Sequence, residues 1–115
     1  VLGVTFKENC PDIRNSKVID LVIELKNWNI DFLLDDPLAN AEELNKQYNL
    51  KLTNIDESSN LDVLIVAVSH KQYREKTLKE LRSYYSNQPK PILADLKSIF
   101  QKDQFEREGF TVFRF

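Results

Sequence analysis

The loop Phe6-Lys7-Glu8-Asn9-Cys10-Pro11-Asp12-Ile13-Arg14-Asn15-Ser16 concentrates side chains that could do chemistry. Lys7 and Arg14 are the two residue types that meet phosphate oxygens, lysine as a point charge and arginine as a flat fork. Lys97, after Asp95-Leu96, adds a third cation, and His70 stands between Ser69 and Lys71. An isolated loop cation is most often simply solvated. Lys7 comes immediately after a strand-like run, however, where a rigid scaffold positions binding side chains. Cys10 has no histidine in its own loop, so a small residue before Pro11 explains it better than a nucleophile does. Asp12 reads as a brace for Arg14 or for a local turn. His70 is open between a hydrogen-bonding group at a ligand and a capping or packing residue.

The elements that must hold these residues alternate. Runs rich in β-branched and aromatic residues occupy 1–6, 30–34, 50–53, 63–68, 92–94 and 111–115. Val18, Leu21, Val22, Leu25 and Trp28 recur at helical spacing, with Asn15 or Ser16 placed to cap the helix start. Ala41, Leu44 and Tyr48 give a second helical stripe, Tyr73, Leu78, Leu81 and Tyr85 a third, and Phe100 and Phe105 a short fourth. Strands separated by helices imply crossover connections. The expected fold is therefore α/β and Rossmann-like: a doubly wound, mainly parallel sheet of about six strands with helices on both faces. The 63–68 run, apolar throughout, is expected to be a central strand buried from both sides. Gln88-Pro89-Lys90-Pro91 reads as a stiff turn. In such sheets ligands bind past the carboxyl ends of the strands, which selects the loops 6–14, 69–73 and 95–98.

Composition narrows the function. Sixteen basic and eighteen acidic residues leave a net charge of -2 with no basic block, unlike a nucleic-acid binder. The aromatic residues Tyr84, Tyr85, Phe105, Phe110, Phe113 and Phe115 lack basic interleaving and suit core or interdomain packing. One cysteine excludes an internal disulfide and fits a reducing, cytoplasmic setting. No apolar run approaches the roughly 20 residues of a membrane span. The two glycines, Gly3 and Gly109, form no dinucleotide-binding G-x-G-x-x-G. The Asp35-Asp36 pair suggests a phosphoacceptor, yet it follows the second strand, and the central run ends in Ser69-His70. With 115 residues, no methionine and a strand-like opening, the chain is expected to be a single domain, 1–115, cut from a longer polypeptide.

The ordered set F-K-E-N-C-P-D-I-R-N-S-K-V, Asp36-Pro37, A-V-S-H-K-Q-Y and Asp95-Leu96-Lys97-Ser98 resembles the C-terminal domain of the UDP-glucose/GDP-mannose dehydrogenase family. It is most similar to the branch that oxidises UDP-N-acetylhexosamines for capsule or O-antigen synthesis. The resemblance covers essentially the whole chain. It implies an enzyme that carries NAD on an N-terminal Rossmann domain and holds the UDP-sugar between that domain and this one. Each turnover would oxidise the sugar C6 alcohol twice to a carboxylate, consuming two NAD, through a thioester on a cysteine upstream of this segment. It further implies that Phe6, Lys7 and Lys97 contact the UDP-sugar and that Arg14 reaches toward NAD. His70 is a further possible contact. No catalytic residue falls in this segment, which alone would be inactive, and the full-length enzyme would be a homo-oligomer. A domain-docking or oligomerisation module without a direct ligand role is the alternative.

Overall fold

The computed structural model of the chain describes residues 1–58, 60–87 and 89–115. Val63–Val66 (β1), Ile92–Asp95 (β2) and Thr111–Arg114 (β3) form a parallel sheet in the order β1-β2-β3, with Leu64 opposite Leu93 and Leu93 opposite Val112. Parallel neighbours need crossovers. Helices α3 (Lys71–Arg74) and α4 (Leu78–Ser83) supply the first, and α5 (Lys102–Arg107) supplies the second. Leu64, Val66, Leu93 and Val112 pack with Tyr73, Leu81, Tyr84, Phe105 and Phe110 in one core cluster, which also takes in Leu2. A second cluster lies under the amino-terminal half. It joins Val4, Ile13 and Leu34 to Ile19 and Val22 of α1 (Lys17–Asn27) and Leu44 of α2 (Ala41–Tyr48).

The six-stranded sheet expected from the sequence is not formed; among the described residues the sheet has three strands. The segments around Leu2, Leu34 and Leu52 run parallel to their neighbours but touch through isolated bridges, Leu2 with Asp35 and Val66, and Leu34 with Leu52. The reason lies in where the backbone donors go. Gly3 turns to φ +96°, and the Val4 and Thr5 amides donate to the Asp36 carboxylate rather than to a neighbouring strand. Asn29 and Asn49 adopt left-handed φ after α1 and α2, and the Ile30 and Leu50 amides turn back to the helix carbonyls of Leu25 and Leu44. Those bonds consume the starts of the second and third expected strands.

Other expectations shift for similarly local reasons. Ser16 occupies the cap position of α1, yet its Oγ donates to the Val4 carbonyl, and no side chain caps this helix. Trp28 is 75 % exposed despite its helical spacing, because it closes α1 instead of extending its buried face. The third helix is broken in two, since Thr77 and Glu80 form a capping box that starts α4 afresh. Val63 is 42 % exposed, so β1 is not covered on both faces. Gln88 of the expected stiff turn lies outside the described residues.

Candidate functional site at the carboxyl ends of the strands

The loop after Thr5, the start of α1 and the segments following β1 and β2 surround a cleft of about 460 Å³. Phe6, Lys7 and Lys97 all line it, together with Lys17, Ala67, Val68 and Leu96. Three lysines thus share one concavity with a half-exposed phenyl ring, Phe6 being 54 % exposed. Such a set can hold an anionic group by point charges while offering an apolar surface to whatever carries it.

Arg14 and His70 do not line this cleft. The Arg14 fork grips its neighbour: Nε donates to Asp12 Oδ1 and a terminal nitrogen to Oδ2, both at 3.0 Å, and the Arg14 amide donates to Oδ1 at 2.9 Å. Those hydrogen bonds hold the Asp12 carboxyl below its ordinary pKa. The guanidinium remains largely in solvent. His70 is fully buried. Its Nδ1 accepts the Asn9 amide proton at 3.0 Å, so the ring proton sits on Nε2, which faces Asp36 Oδ2 at 2.9 Å and Thr5 Oγ1 at 3.1 Å.

Asp36 is the residue that sequence reasoning undervalued. Its Oδ2 accepts the Val4 and Thr5 amides and faces His70, and its Oδ1 accepts the Leu38 and Ala39 amides at 2.8 and 2.9 Å. One buried carboxylate therefore ties the first strand-like segment to the 36–39 turn and to the end of β1. The signals were Asp36-Pro37 and a polar Thr5 within an otherwise apolar run. Lys17, which also lines the cleft, was not singled out from the sequence. Nearby, burial and the Asp35 carboxylate push the Tyr73 phenol well above its ordinary pKa, so it stays a donor, reaching Asp35 Oδ1 at 2.5 Å. Asp95 accepts the Ile99 and Phe100 amides, which shapes the turn that presents Lys97.

Burial raises the Asp36 pKa, but the His70 hydrogen bond and the Val4 and Leu38 amides outweigh it and hold the carboxyl below its ordinary value. A depressed carboxyl stabilises the fold above its unfolded pKa of about 4, and this stability is lost as pH falls through the lower, folded value. Asp36→Asn puts an amide where amide donors converge, and a loss of about 2–4 kcal/mol at pH 7 is expected. Urea midpoints measured at pH 7 and near pH 3 check this, with the gap between variant and wild type narrowing in acid. A gap independent of pH would mean that the carboxylate's charge is not what stabilises this junction.

A parallel α/β unit with a cation-lined cleft beyond its strand ends belongs to the class of domains that take ligands at that edge. Comparison with known proteins makes the class specific. Residues 1–102 match the family model described as the UDP-glucose/GDP-mannose dehydrogenase family, UDP binding domain, and the chain belongs to that family. It is 38 % identical over 104 residues to a UDP-N-acetyl-D-glucosamine 6-dehydrogenase of Salmonella typhi, a match that takes in 90 % of this chain. It is 40 % identical over 106 residues to Protein CapL of Staphylococcus aureus, again across 90 % of this chain. In each case the chain spans 24 % of the relative's length. The fold is shared with an NDP-N-acetyl-D-galactosaminuronic acid dehydrogenase from Methanosarcina mazei Go1, with a TM-score of 0.84, 16 % identity and coverage of 98 % of this chain and 23 % of that one. Among the described residues no helix is long and apolar enough to cross a membrane.

Proposed function

We propose that this chain is the nucleotide-sugar-binding domain, residues 1–115, of a longer NAD-dependent UDP-sugar 6-dehydrogenase that oxidises the C6 alcohol of a UDP-hexose or UDP-N-acetylhexosamine to the uronic acid for surface polysaccharide synthesis. The observation that carries the reading is the convergence of Phe6, Lys7 and Lys97 on one cleft in a chain that belongs to a UDP binding domain family. Lys7 and Lys97 meet the diphosphate, and Phe6 packs against the part of the ligand between phosphate and sugar. This chain has no glycine-rich cradle for a dinucleotide, so NAD is held by a preceding domain, with Arg14, braced by Asp12, facing the cofactor side. The reactive cysteine belongs to that preceding part, and the full-length enzyme works as a homo-oligomer in the cytoplasm. Titration of the chain with UDP, followed by two-dimensional NMR, is expected to move the Phe6, Lys7 and Lys97 resonances. Silence of those loops at saturating UDP would remove the binding role.

A second reading, docking against another domain or subunit, is favoured by the uncovered side of the sheet. The register brings Ile65, Ala94 and Phe113 into one row, in which Phe113 is 50 % exposed, and Phe115 beyond it is almost bare. An apolar groove of about 570 Å³ bordered by Ile65, Val63, Leu33 and Ile30 adjoins this face. The docking surface and the cation-lined cleft share no residues, so both roles can be held at once.

A further inference from the structure

We infer that His70 is a positioning residue for the nucleotide-binding turn: a neutral imidazole whose Nδ1, by accepting the Asn9 amide, fixes the backbone that carries Phe6 and Lys7. This rests on the assignment of Lys7 to the UDP-sugar made above.

Asn9 sits at φ +57°, in the left-handed region that asparagine adopts more readily than other non-glycine residues. Two contacts from the segment after β1 hold it: the His70 ring accepts its amide, and the Lys71 amide donates to its side chain at 2.9 Å. Upstream, the Thr5 hydroxyl donates to the Lys7 carbonyl at 3.0 Å and lies against His70 Nε2. The imidazole therefore touches both flanks of the turn bearing Phe6 and Lys7, while Asp36 fixes the ring at Nε2, the nitrogen that also meets Thr5, at 2.9 Å. With no exposed surface and both nitrogens engaged, His70 acts on the ligand only through this backbone. A cation displaced by even an ångström forfeits much of its contribution to an oriented site.

His70 is the chain's single histidine, so long-range proton–nitrogen NMR observes its ring without ambiguity. The expected spectrum is that of the Nε2–H tautomer with an unprotonated, hydrogen-bonded Nδ1; a proton on Nδ1 in the folded chain overturns the inference. This measurement needs no variant. Two substitutions then separate positioning from packing. His70→Gln keeps a donor for Asp36 but places no acceptor where Nδ1 stands, whereas His70→Asn keeps that acceptor and gives up the Asp36 contact.

The expected result is a crossing of orders, with the Gln variant more resistant to urea and the Asn variant tighter for UDP. The UDP dissociation constant rises roughly tenfold in His70→Gln and stays within about threefold of wild type in His70→Asn. UDP affinity that simply follows stability, or that is unchanged in both variants, overturns the inference. Lys7→Ala in the same titration separates the two levels. If it weakens UDP while a folded His70→Gln does not, only the positioning role falls; if Lys7→Ala binds UDP normally, the reading beneath it falls.

Discussion

Lys7→Ala in the full-length parent enzyme is expected to lower kcat/KM for the nucleotide sugar by roughly one hundredfold while leaving the KM for NAD within about twofold. A charge-assisted hydrogen bond to phosphate contributes about 1.5–3 kcal/mol, which corresponds to about one to two orders of magnitude in binding. That range separates a ligand contact from a solvated lysine, whose removal changes little. Lys46 is the internal control. It is exposed on α2 and does not line the cleft, so Lys46→Ala should leave both parameters unchanged. Steady-state kinetics with each substrate varied decides the matter, and wild-type kinetics for Lys7→Ala would take Lys7 out of the site.

Gly3→Ala carries the largest expected cost to stability. The backbone at Gly3 lies at φ +96°, and a Cβ built there would stand 2.5 Å from Val68 Cβ and 3.0 Å from the Val68 amide nitrogen. Both effects act in the same direction. A non-glycine residue in that region costs about 1–3 kcal/mol, and forcing atoms into a packed contact adds about as much again. A total of about 3 kcal/mol or more would lower the urea midpoint by roughly 2 M, given typical slopes for a small domain. Val68 also walls the cleft, so any variant that still folds should bind UDP more weakly. An unchanged midpoint would show that the close approach of Gly3 to Val68 is not required.

The alternation of strand-like and helical runs was enough to identify an α/β chain and to place the loops that matter. It could not show that three of the six extended runs would stop at isolated bridges. For the first run that outcome depends on the Asp36 side chain capturing the Val4 and Thr5 amides, a contact across 32 residues of sequence at its longest, and for the other two on the turns at Asn29 and Asn49. Side chains competing for backbone donors leave no periodic trace. The site was legible in the same uneven way. Phe6, Lys7 and Lys97 were singled out through the family resemblance, Lys7 also because it follows a strand-like run, and the three share a cleft. His70 and Asp36 could not be understood from their own neighbours in sequence, since each is defined by partners on two other segments.

Among the described residues two hydrophobic clusters, rather than one, support the fold, and the cleft lies across the seam between them. Phe6, Lys7 and Lys17 stand on the part supported by Val4, Ile13 and Ile19, whereas Leu96 and Lys97 follow β2, which is anchored by Leu93 in the other cluster. A bound anion spanning the lysines would therefore staple two separately supported halves. By linkage, ligand occupancy is then expected to stabilise both halves, slowing amide exchange in α1 and in β2 together although neither lies wholly within the pocket.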